Sequence, residues 1–299
     1  MARRLRDARG RDVVLISPPR RVVSLVPSDT DTLFALGLGE RIVGRTRYCV
    51  EPEGRVESIE VVGGTKDIDA DAVAALAPDL VIANQEENSR SPLEAIAKRG
   101  IPLYISFPQR VADGIAHVAT LARAFEVDRE PAVVELMKKG YQVLQPLTGQ
   151  RTQKPSVFVP IWMDPLMTFA DHTFASDMLE MIGAVNAFAD RERKYPLGAD
   201  LGQRAAWPAE RVSDRDTRYP RITLEEVEER KPDIVLLPDE PHEFTEDDAE
   251  VFRAQSTPAA ERGAVRLCDG KDLFWYGARS IAAVPRLRTL IAELSRAVA

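Results

Sequence analysis

Glu86 and Glu240 are the side chains best placed to act together, because each stands four residues beyond an apolar strand in one of two copies of the same unit. The first copy reads Ile68-Asp-Ala-Asp-Ala-Val-Ala-Ala-Leu-Ala-Pro-Asp-Leu-Val-Ile82 and the second Ile222-Thr-Leu-Glu-Glu-Val-Glu-Glu-Arg-Lys-Pro-Asp-Ile-Val-Leu236, aligned without a gap. Paired carboxylates at equivalent loop tips either stay solvated or meet a cation or a metal-bearing ligand. Their matching offset favours a shared role.

Other candidates cluster in the loops on either side. In the first half these are Tyr48 and Cys49 in one loop, Lys66 at the end of Gly63-Gly-Thr-Lys66, and Asn88 in Asn84-Gln-Glu-Glu-Asn88. In the second half they are Trp162, His242 beside Glu240, and the run Leu273-Phe-Trp-Tyr-Gly-Ala-Arg279 with Trp275, Tyr276 and Arg279. Aromatic rings either pack a lobe surface or wall a bulky ligand, since each buries about 150–250 Å². Lys66, Asn88 and Arg279 suit polar ligand edges, while Cys49, Glu86, Glu240 and His242 suit a metal or cation. With only His117, His172 and His242, a multi-histidine metal site is poorly supported. The G-x-S-x-G elbow, H-E-x-x-H, Walker A and G-x-G-x-x-G signatures are missing.

The elements that must position these residues follow from the repeat. Each copy is an amphipathic helix, a Pro-Asp turn that stops it, and an apolar strand. The offset of 154 residues, from 68 to 222, is about one domain. The order βαβα implies parallel sheets with helices on both faces. The expected fold is α/β, with two similar lobes joined by a long helix: an N-terminal lobe over 12–127, a connecting helix over 128–150, and a C-terminal lobe over 151–299. Ligands of such lobes sit at loops leaving the strand ends, so the candidates face a shared cleft and the helix connector implies a stiff hinge. Ser28 or Asp29 is expected to cap the helix running to Leu36. Residues 191–221 form a charged, Pro- and Gly-bearing insertion of functional length.

Bulk properties exclude several classes. A net charge of −7 argues against duplex nucleic acid. The basic run from Arg3 to Arg11 reads as a solvated arm. No apolar stretch of signal-peptide length follows it, and none approaches the roughly 20 residues of a membrane-spanning helix. The sequence as it stands is therefore expected in the cytoplasm, or in the periplasm if a leader has been removed or the start is misassigned. Cys49 and Cys268, the two cysteines, fall in different halves, and two thiols alone make no zinc site.

Several segments in order resemble the helical-backbone metal-receptor family, the substrate-binding proteins of ABC importers for cobalamin, heme and ferric siderophores. The resemblance runs from about Arg21 to the C-terminus. It rests on Val22-Val-Ser-Leu-Val-Pro-Ser28, Ile42-Val-Gly44, Pro78-Asp-Leu-Val-Ile82, Phe174-Ala-Ser-Asp-Met-Leu-Glu-Met-Ile-Gly183, Tyr219-Pro-Arg-Ile-Thr-Leu-Glu-Glu226 and Pro232-Asp-Ile-Val-Leu236. The most similar members are leaderless proteins of the cobalamin-binding type, which share the Tyr-Cys, Gly-Gly-Thr-Lys, Glu-Glu-Asn and Trp-Tyr-Gly segments. The resemblance implies a bacterial, two-lobed, non-catalytic receptor with no required cofactor. It also implies a permease contact at Glu225, whose first-lobe counterpart is Arg90 with reversed charge. Asn84 stands where a corrin-stacking tryptophan is expected.

The reading is thus a receptor that takes a metal-containing or tetrapyrrole-like small molecule, such as cobalamin, heme or a ferric siderophore, and is not an enzyme. Two alternatives stay open. One is a sensor or scaffold in the cytosol that binds a protein through residues 191–221. The other is an enzyme in the same cleft with Cys49 as nucleophile and a carboxylate as base.

Overall fold

The computed structural model describes residues 3–146 and 154–296. These divide into two compact units, one of residues 3–108, 112–144 and 275–281, the other of the remainder. Each is an α/β lobe with its own parallel sheet flanked by helices.

In the first unit, β1 (Arg3–Arg6) and β2 (Asp12–Leu15) form an antiparallel hairpin. The N-terminal arginines are therefore not a loose arm. Leu5 turns inward with Val13 and Leu15 while the charges face out, and buried Asp7 accepts hydrogen bonds from Arg9 N and Arg11 N at 2.9 and 2.8 Å. The strands β3 (Val22–Ser24), β4 (Ile42–Arg45), β5 (Glu60–Val61), β6 (Leu80–Asn84) and β7 (Leu103–Ser106) form a parallel sheet in the order β5-β4-β3-β6-β7. Alternate side chains feed two cores. Val22, Leu80, Ile82 and Tyr104 join Val118, Phe125 and Val133, whereas Val23, Val81, Ala83 and Ile105 join Val73, Leu93 and Ile96. Coverage on both faces explains why all five residues of β6 are buried.

The second unit holds β8 (Ser156–Phe158), a small hairpin of β9 (Trp162–Met163) and β10 (Leu166–Met167), then β11 (Val185–Asn186), β12 (Ile234–Pro238) and β13 (Val265–Cys268). Its parallel sheet has the order β11-β8-β12-β13. Phe158, Phe188, Val235, Leu237 and Phe252 are among its core residues.

The repeat appears as the same local construction twice. The helices Ala70–Ala75 and Leu224–Arg230 each lead to a non-glycine residue of positive φ, Ala77 at 44° and Lys231 at 49°, directly before the proline. The aspartate after each proline then ties its strand to the neighbouring one. Asp79 accepts from the amides of Arg20 and Arg21 at 2.8 and 3.1 Å, and Asp233 accepts from Ser156 N at 2.9 Å. Both following strands sit inside their sheets, β6 between β3 and β7, and β12 between β8 and β13.

The helix Pro131–Val143 falls wholly within the first unit, as does the segment 275–281, although the latter follows the second sheet in sequence. The helix Pro27–Ala35 is not capped by Ser28 or Asp29. Its N-cap is Val26, which supplies no side-chain bond, and Pro27 opens the first turn. Ser28, Asp29, Thr30 and Thr32 are instead buried.

Candidate functional site

In the first unit, the carboxyl end of β6 carries a loop built by two asparagines. Asn84 Oδ1 accepts from Glu86 N at 2.8 Å and Glu87 N at 3.1 Å. Asn88 Oδ1 accepts from Asn84 N at 2.8 Å, and its Nδ2 donates to the carbonyls of Leu25 and Thr65, both at 3.0 Å. Asn88 is thus buried and spends its amide on the backbone, where the sequence suggested a polar contact for a ligand. Its bond to Thr65 draws in the Gly63–Lys66 turn, and Lys66 Nζ donates to Glu86 O at 2.6 Å. Lys66, Glu86 and Asn88 are therefore brought together.

Glu87 completes this cluster, and sequence spacing missed it in favour of Glu86. It is exposed to solvent. Desolvation pushes its carboxyl above the ordinary value; the Lys66 charge opposes this, and the charges of Glu86 and Asp29 add to it. Tyr48 stands nearby at 53 % exposure, beside Gly64, where a Cβ would collide with the Arg47 and Asp67 side chains and come within 3.0 Å of the Tyr48 ring. Arg47 grips Asp67 with two bonds of 2.9 and 2.6 Å and lies over the Tyr48 ring. Cys49 is different. Its side chain is fully buried, its sulfur lies 3.1 Å from Thr46 Oγ1, and burial pushes the thiol up. A buried, protonated thiol is a poor nucleophile.

Beneath the loop lies a polar network that no local pattern revealed. Asp29 accepts from Tyr276 Oη at 2.9 Å and meets His117 Nε2 at 2.6 Å. Tyr276 Oη also lies 3.1 Å from Ser106 Oγ and accepts from Asn84 Nδ2 at 3.3 Å. Tyr104 stacks on His117, with its hydroxyl 3.4 Å from Nδ1. Tyr276 and Trp275 are each only 5 % exposed, so the expected aromatic wall is core, with the Tyr276 hydroxyl held by Asp29, Ser106 and Asn84. Arg279, in the same segment, is half-buried. The sequence signal available was Ser28-Asp-Thr-Asp-Thr32, five polar residues in a row behind a buried strand.

In the second unit, Trp162 is 44 % exposed and its Nε1 donates to Asp164 O at 3.0 Å. Its ring lies 5.3 Å from that of His242, which in turn meets the Phe244 ring edge-on at 4.6 Å. The hairpin β9–β10 and the loop after β12 thus converge on Trp162 and His242. Glu240 lies in the same loop, against Gly270, where a Cβ would come 2.7 Å from Glu240 O and 2.9 Å from Glu240 N. Asp239 Oδ1 fixes that approach by accepting from Gly270 N at 2.7 Å.

Glu86 and Glu240 leave equivalent strand ends. Gln85 N donates to Ser106 O at the end of β7, and Asp239 N to Cys268 O at the end of β13. Among the described residues, no group of three or more His, Cys, Asp and Glu side chains is arranged to hold a metal ion. A groove of about 850 Å³ beside β1 includes Arg3, Arg6, Arg123 and Arg129 but none of the candidate residues.

Comparison with known proteins gives a consistent picture. The family described as "Periplasmic binding protein" matches residues 22–271. The vitamin B12-binding protein of Yersinia pestis (strain Pestoides F) is 28% identical over 219 residues, which is 73% of this chain and 69% of that protein. Among solved structures, the periplasmic heme-binding protein RhuT from Roseiflexus sp. RS-1 aligns with a TM-score of 0.72 at 20% identity, covering 93% of this chain and 99% of that one. The periplasmic vitamin B12 binding protein BtuF of Vibrio cholerae aligns at 0.71 and 20%, covering 93% and 98%. At these identities the structural likeness concerns the fold.

Proposed function

The chain belongs to the periplasmic-binding-protein family, and on that premise we propose that it is a receptor for a metal-containing or tetrapyrrole-like small molecule, of the class that includes cobalamin, heme and ferric siderophores. The observation that carries this reading is the pairing of family with strand-end chemistry. Each unit presents, at the loop after its repeat strand, an exposed aromatic beside titratable groups: Tyr48 with Lys66, Glu86 and Glu87, and Trp162 with His242 and Glu240. Binding is its activity, and no catalytic step is assigned. The metal arrives as part of the ligand, and no resident cofactor is required.

Within each cluster the roles follow from accessibility. Tyr48 and Trp162 offer apolar faces to the ligand. Lys66, Glu86, Glu87, Glu240 and His242 meet its polar or cationic groups. Asn88, Tyr276 and Cys49 hold the loops from beneath. Glu225, exposed in the first turn of Leu224–Arg230, is the contact offered to an ABC permease. That delivery step places the protein outside the cytoplasmic membrane, and no helix among the described residues is long and apolar enough to cross one.

Thermal melts with cyanocobalamin, hemin and a ferric hydroxamate test the site. At 100-fold excess over Kd, the true ligand class stabilises the protein by about 2.7 kcal/mol. Trp162→Ala and His242→Ala should each weaken that ligand by about tenfold or more while leaving the unliganded melt almost unchanged. If both variants bind like the parent protein, the second-unit cluster is not the site.

A further inference from the structure

Residues 191–221 carry eight cationic side chains against five carboxylates, an excess of three positive charges in a chain of net charge −7. Much of that charge is accounted for by observed contacts. Arg191, itself buried, bonds Glu226 Oε1 at 2.8 Å and Asp200 Oδ1 at 3.0 Å. Arg218 grips Asp216 through two bonds of 2.9 and 2.6 Å. Arg211 lies over the Trp207 ring at 3.8 Å, and that ring stacks on Tyr195.

Two guanidinium groups are left differently. Arg193 lies over the Tyr195 ring at 4.4 Å, but its Nε is buried without a hydrogen-bond partner. Arg221 has both Nε and Nη1 buried without one. The nearby Asp200 carboxylate bonds neither of them at these atoms. Asp200 Oδ1 already accepts from Arg191 and from Lys194 N at 2.9 Å, and Oδ2 accepts from the Arg221 amide at 2.7 Å. Desolvation and the neighbouring Arg193 charge lower the pKa of Arg221, with Asp200 opposing. Three buried donor nitrogens on two like charges are costly unless acceptors complete them.

We propose that Arg193 and Arg221 form an oxyanion site in the second unit, which takes a carboxylate or phosphate group. A planar guanidinium fork matches an oxyanion with two or more acceptor oxygens, and one such anion both satisfies the orphaned donors and relieves the repulsion. Tyr195, held under Arg193 and bonded through its hydroxyl to Asp216 O at 2.8 Å, keeps the first fork in place. The oxyanion comes either free from solution or as the acidic arm of the bound ligand. Only the second source rests on the receptor reading.

The test uses the full chain, at constant ionic strength, with inorganic phosphate, with hemin and with hemin dimethyl ester, in the parent protein and in Arg193→Gln and Arg221→Gln. A phosphate-dependent rise in melting temperature that both variants lose identifies a free oxyanion. Hemin binding at least about tenfold tighter than its ester, with the preference lost in both variants, identifies a ligand arm. Because neither removed group has a protein acceptor at these atoms, both variants should melt no lower than the parent without anion. The proposal is overturned if neither phosphate nor the free carboxylates are preferred. It is equally overturned if the variants match the parent, or if they melt much lower in the absence of anion. A phosphate effect without any hemin binding keeps the site and removes heme, but not the other ligand classes, from the receptor reading.

Discussion

Asp29 is the residue on which the first unit's interior turns. It is fully buried and joins the helix Pro27–Ala35 to His117 and Tyr276, residues 88 and 247 positions away in sequence. Asp29→Asn keeps the shape but cannot accept from both partners with a charge, and should cost about 3 kcal/mol by chemical denaturation, the usual size of a broken buried network. A cost below about 1 kcal/mol would mean that the network is not sustained in solution. Glu87 behaves in the opposite sense. Its folded-state pKa is raised, so the folded chain retains a proton that the unfolded chain has released. Its contribution is therefore most favourable below the ordinary glutamate range, and stability is lost as pH climbs toward the raised value. Glu87→Gln should raise the melting temperature at pH 7 and make no difference near pH 4. An unchanged profile across that range would show that Glu87 is fully hydrated.

At the scale of elements, the repeated helix–proline–strand unit explains most of what could be read from sequence. A parallel sheet covered on both faces leaves uninterrupted apolar strands, and Pro-Asp marks the boundary before each. The structure adds why Asp follows Pro: its carboxylate accepts from backbone amides at the start of the adjacent strand. It also shows that each helix ends on a residue forced to positive φ. Glycine adopts that conformation without a Cβ penalty. Lys231→Gly, at an exposed position, should therefore stabilise the second unit by roughly 0.5–1 kcal/mol, measured by urea denaturation; destabilisation would mean that the lysine makes a contact worth more than its backbone strain. What remained illegible has a common cause. The β1–β2 hairpin has one buried residue, Leu5, on its first strand, too weak a pattern to stand out among arginines. The Tyr276 network joins residues that meet only through packing, and Cys49 and Asn88 look like surface residues until their loops are folded. The arginine–aromatic stacks of residues 191–221 follow no period, so only their charge was visible.

At the scale of the whole molecule, the chain is a two-lobed α/β member of the periplasmic-binding-protein family, and the activity proposed for it is to hold a metal-containing or tetrapyrrole-like ligand. Glu225→Arg should leave ligand affinity unchanged and impair transfer to a cognate importer in reconstituted vesicles, which separates carriage from delivery. Carriage itself is the central point, and calorimetric titration of the full chain with cyanocobalamin, hemin and a ferric hydroxamate measures it most directly. A saturable one-site isotherm, at micromolar Kd or tighter, is expected for at least one of the three. Folded protein that gives no binding heat with any of them at several temperatures would contradict it.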